Sequence, residues 1–108
     1  MRVFYRLVKL DPPSATDFPS HHELGRQFNR PLDPESARLS RGVSVSENAD
    51  KLRARAAKHN SLGKFIATLH VTDGDAVRWE QTTKRKDHYT LWGTADEILA
   101  CVERVDPL

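Results

Sequence analysis

The sequence holds one cysteine, no glycine-rich loop, no long apolar run and little net charge. With Cys101 alone, no internal disulfide can form, and the expectation is a reducing, cytoplasmic setting. Cys101 stands among Ile98, Leu99, Ala100 and Val102, so it reads as a buried, inert thiol and not as a nucleophile. No apolar run approaches the roughly 18–20 residues that a membrane-spanning helix needs. The opening segment, Met1–Val8, is apolar enough to resemble a signal segment. Arg6 and Lys9 interrupt it and no small-residue cleavage site follows, so it reads as a strand of the fold. The glycines are scattered at 25, 42, 63, 74 and 93, which argues against Rossmann and P-loop nucleotide binding. Gly42-Val43-Ser44-Val45-Ser46 lacks the second glycine of a nucleophile elbow. His21 and His22 would diverge by about 100° on a helix, and without HxxxH or CxxC spacing no metal site is expected. The net charge of +2 does not demand a polyanionic partner.

What is present fits one globular domain over residues 1–108, with 38% hydrophobic and 30% charged residues. Residues 3–10 are apolar on both alternating faces, the mark of a central strand, until Asp11-Pro12-Pro13 ends it. Residues 11–20 read as loop. Ser20 with Glu23 forms a capping box for a short helix over about 21–28. Asp33-Pro34-Glu35 starts another helix, and Gly42 opens a strand over Val43–Ser46. Ser46 or Asn48 caps a basic helix from Ala49 to His59. A strand over Phe65–Val71 follows, then a hairpin signal at Asp73-Gly74, alternation through Val77 and Trp79, and a strand over His88–Trp92. Thr94 caps one helical turn before a last strand ending near Val105. The expectation is an α+β fold: a mostly antiparallel sheet with two or three short helices in the N-terminal half.

Few residues carry chemistry. Arg6 shares a strand face with Phe4 and Val8, so it either reaches a cleft or is paired; its planar fork suits phosphate or carboxylate. Ser44 and Ser46 point together, opposite Val43 and Val45, and can hold a ribose or face solvent. Glu97 has two readings: the third residue of a capping box begun by Thr94, or a carboxylate just ahead of a strand starting at Ile98. Glu103 is its rival, and on a last strand it would share a face with Val105. Tyr89 aligns with Leu91 and looks like core. His88 aligns with Thr90 and Trp92 and is the better site candidate; Trp92 or Tyr89 could stack on a flat ring.

Arg6 on the first strand, Ser44 and Ser46 on a middle strand and Glu97 near the end follow the order found in ADP-ribosyltransferases. The chain resembles a compact member of that superfamily, close to its RES-domain branch. The resemblance implies NAD as substrate, a nucleotide ligand and cleavage of the nicotinamide–ribose bond. Arg6 would grip the ribose or pyrophosphate, Ser44 and Ser46 would position the ribose, and Glu97 would stabilise the cationic transition state. His88 and Tyr89 match the His and Tyr of a second branch in residue type. The middle of the serine motif is Val45 instead of Thr, and Ala95 stands two before Glu97 where the family has Gln or Glu.

Two competitors remain. One is a non-catalytic α+β interaction or regulatory module with a protein partner. It expects Arg6 and Glu97 to lie apart in space, or each to be satisfied by a local salt bridge. The other is a weak nucleic-acid binder through the basic face Lys51–Lys58 and Lys84-Arg85-Lys86, for which a solvated surface is the commoner explanation.

Overall fold

The computed structural model describes residues 1–20, 34–72, 74, 76–82 and 86–108, with the backbone alone at 35, 36 and 60. The described elements run β1 (Arg2–Val8), α1 (Pro34–Ser40), β2 (Val43–Ser46), α2 (Ala49–Lys58), β3 (Phe65–Val71), β4 (Arg78–Gln81), β5 (His88–Trp92), α3 (Ala95–Leu99) and β6 (Val102–Pro107). The six strands form one antiparallel sheet in the order β4-β5-β2-β1-β3-β6, so the fold is α+β. The helix expected over 21–28 lies outside the described residues. The 11–20 segment contains a turn of 3-10 helix at Ala15–Asp17.

β1 is central, between β2 and β3, as its two apolar faces require. Phe4 and Val8 point to one face, where they meet Val43, Val45, Ala67, Leu69, Val71, Tyr89 and Leu91; Phe18, Val77 and Ile98 close this core. Each buried Val, Leu, Ile or Phe side chain contributes roughly 1.5–3 kcal/mol by leaving water. The Phe4 ring sits 5.0 Å from Tyr89 and 6.5 Å from Trp79, both tilted. α3 packs against the 3-10 turn, which seats Ile98 and Phe18 in the core at 0% exposure. Val3, Tyr5 and Leu7 take the opposite face of the sheet by alternation. α2 packs on β1, and Ile66 and Ala56 are buried outside the main cluster.

Two strand expectations change. Asp73-Gly74 does not close a hairpin: Gly74 has the positive φ of 93° that a tight turn requires, yet β3 and β4 lie near opposite edges of the sheet. A turn signal fixes the local backbone and leaves the choice of neighbour to core burial. The alternation that would set Glu103 beside Val105 is interrupted, because the register shifts where Thr68 meets Arg104 and Leu69 meets Val102. Glu103 falls in that bulge and is exposed.

Candidate functional site

β2 and β5 alternate in phase. Val43 pairs with Leu91 and Val45 with Tyr89 on the core face; Ser44 pairs with Thr90 and Ser46 with His88 on the other. Tyr5 of β1 lies beside Ser46, and Trp92 continues the row of His88 and Thr90. Four of the expected site residues, Ser44, Ser46, His88 and Trp92, therefore share one sheet face. Arg6 and Tyr89 take the opposite, core face, and Glu97 is on α3.

Each of these side chains has a definite engagement. Arg6 donates from Nε to the carbonyl of Asp17 at 2.9 Å and from Nη1 to the carbonyl of Ser44 at 2.7 Å, tying the 11–20 loop to β2 across β1. Glu97 takes the capping geometry: its Oε1 accepts from the Thr94 amide at 2.7 Å while the Thr94 hydroxyl accepts from the Glu97 amide at 3.1 Å. Ile98 is helical and the strand beyond starts at Val102, so Glu97 does not stand just ahead of a strand. Tyr89 is core, its hydroxyl accepting from Arg2 Nη2 at 2.6 Å. Trp92 donates from its indole to the carbonyl of Arg38 at 2.9 Å. The Arg38 guanidinium lies 4.6 Å from the ring centroid and grips Glu80 with both amino nitrogens. The Cys101 thiol is half-buried, and donates to the carbonyl of Glu97 at 3.5 Å.

The polar face is a chain of short ties. Thr82 Oγ1 lies 3.0 Å from His88 Nδ1 and 2.6 Å from Thr90 Oγ1. A hydroxyl at that distance from an imidazole has the spacing of a nucleophile and its base. Thr82 is only 7% exposed, however, and shares its hydroxyl with Thr90, so the contact works as a cross-strand tie. Ser46 Oγ accepts from the Asn48 amide at 3.0 Å and donates to Asp87 Oδ2 at 3.3 Å. Asn48, not Ser46, caps α2, its Oδ1 accepting from the Lys51 amide at 3.1 Å. The Lys51 ammonium reaches Asp87 Oδ1 at 3.2 Å, and the Asp87 carbonyl accepts from the Glu47 amide at 2.9 Å.

Partial burial raises the Asp87 pKa, but bonds from its own backbone N–H, from Lys51 and from Ser46 outweigh this and hold it below the usual carboxylate value. An open depression of about 500 Å³ adjoins this cluster, lined by Tyr5, Glu47, Asn48, Asp50, Lys86 and Asp87. Its chemistry is that of hydrogen bonding and charge. Among the described residues no group of three His, Cys, Asp or Glu side chains is arranged to hold a metal ion.

Asp17, Asp87 and Arg2 join the expected residues in tying the fold together. Asp17 is 8% exposed and accepts from the Lys9 and Ser14 amides, clamping the loop after β1. A carboxylate in a turn has no periodicity to announce it; the one available signal was Ser14-x-x-Asp17, a box-like spacing. Arg2 shares the alternation of Phe4 and Arg6, which was readable. No family model, curated protein or solved structure matches the chain.

Proposed function

We propose that the chain is a small, non-catalytic α+β binding module, and that it does not cleave NAD through Arg6 and Glu97. One observation carries the reading. The carboxylate and the guanidinium that the chemistry would use are both bound to nearby backbone, Glu97 to the Thr94 amide and Arg6 to the carbonyls of Asp17 and Ser44. A carboxylate that stabilises an oxocarbenium-like charge has to be aimed at the sugar. Glu97 closes its own helix cap instead, and the serines point away from the face that holds Arg6. A second reading has support of its own: Arg6 lies 2.7 Å from the Ser44 carbonyl, so the arginine strand and the serine strand are neighbours, an arrangement compatible with NAD binding.

The test is a titration of the purified protein with NAD, following thermal stability and nicotinamide release together. Neither is expected to change. Nicotinamide release that stops in Glu97→Gln overturns the proposal, because glutamine keeps the cap bond and so removes only the charge. Stabilisation without release supports the second reading. Arg6→Ala leaves two carbonyls without their charged donor and should cost about 2 kcal/mol of stability with or without NAD.

A further inference from the structure

We infer that the exposed sides of α2, with Arg53 on one flank and Arg55 and Lys58 on the other, bind the phosphodiester backbone of nucleic acid without reading sequence. The inference rests on the reading of the chain as a binding module and names its partner.

Three observations support it. The first is what three of the four cations of α2 lack. Arg2, Arg38, Lys51 and Arg104 each meet a carboxylate, Glu47, Glu80, Asp87 and Asp106 respectively. Arg53, Arg55 and Lys58 are exposed, and no carboxylate among the described residues pairs with them. The second is charge segregation. Residues 49–64 hold five lysines and arginines against the single carboxylate Asp50, an excess of four. The whole chain carries +2, so everything outside this stretch sums to −2. The net positive charge of the sequence is therefore carried by this one stretch. Gly63 extends it: a Cβ there would lie 2.8 Å from the Val8 carbonyl. The close approach lets the Lys64 amide donate to that carbonyl at 3.0 Å, which sets exposed Lys64 beside exposed Lys9.

The third observation is what accompanies the cations. The exposed positions of α2 other than charged ones are Ala54 and Ala57. A protein partner would call for an aromatic or large aliphatic anchor at the centre of the contact, and a lipid surface for an apolar face to insert. A phosphate backbone needs cations alone, and arginine's planar fork fits phosphate oxygens.

The experiment measures fluorescence anisotropy of a labelled random-sequence DNA duplex with the full chain across a salt series. Binding in the micromolar to hundred-micromolar range is expected, with a log–log salt slope of about −3 for three phosphate contacts. Arg53→Ala/Arg55→Ala/Lys58→Ala should lose at least tenfold in affinity at low salt and flatten the slope. Arg78→Ala, an exposed arginine of β4, should leave both unchanged. All three positions of the triple variant are exposed on a helix, so an unchanged melting curve separates lost contacts from lost fold. Absence of binding at 50 mM salt, binding insensitive to salt, or full retention by the triple variant overturns the inference. So does displacement by polyglutamate or phosphatidylserine vesicles as effective as by unlabelled duplex. Nicotinamide release, by contrast, overturns the binding-module reading and leaves the anisotropy result standing.

Discussion

Asp87 joins three elements through one carboxylate: it accepts from Ser46 of β2 and from Lys51 of α2 at the entry to β5. Folding lowers its pKa, so the unfolded chain holds this proton more tightly. The stabilisation is complete above the ordinary carboxylate value near 4 and is lost as pH falls through the lower folded value. Asp87→Asn should therefore cost about 1 kcal/mol in urea unfolding at pH 7, and the gap to the wild type should narrow as pH drops from 5 to 2. A gap that persists at low pH would mean that the carboxylate charge is not what ties α2 down. At this scale the sequence was readable where a residue's role is local. Thr94 and Glu97 spelled out a capping box, and they form one. It was unreadable where the partner is remote: nothing near Asp87 announces Lys51, and nothing near Arg6 announces that its acceptors are main-chain carbonyls of Asp17 and Ser44.

Elements followed from composition with good fidelity. Val43–Ser46, Phe65–Val71 and His88–Trp92 were strands by alternation and are strands, because a period of two fits no other element. Asn48 and Pro34 mark helix starts for equally local reasons. Pairing was not legible at Asp73-Gly74, since hairpin chemistry says how the chain bends and not which strand it finds. The bulge at Glu103 was latent in the sequence as a charge on an apolar face. Gly42 shows how tightly the element junctions are built. A Cβ there would fall 2.0 Å from Thr90 Cγ2 and 3.2 Å from the Leu91 carbonyl. Gly42→Ala should destabilise the protein by about 1–3 kcal/mol, read as an earlier urea midpoint with faster amide exchange in β2 and β5. An unchanged midpoint would show that Thr90 gives way freely.

The sheet as a whole has two open edges among the described residues, and both are blunted. β4 is four residues long and carries Arg78 and Glu80. β6 carries the bulge, the Arg104–Asp106 ion pair and Pro107, which has no N–H to offer a neighbour. The protein should sediment as a monomer, and Glu103→Val should raise light scattering on heating by removing the charge from the bulge. A wild-type dimer held edge to edge would contradict this. The strand order also has a consequence in time. β2, β1 and β3 are neighbours made by residues 2–71, while the strands that flank them, β5 on one side and β6 on the other, come later in the chain. A ribosome adding about 5–20 residues per second needs a few seconds to supply them. During that interval β2 and β3, the two rims of the central three strands, have yet to receive the partners that cover them in the folded sheet.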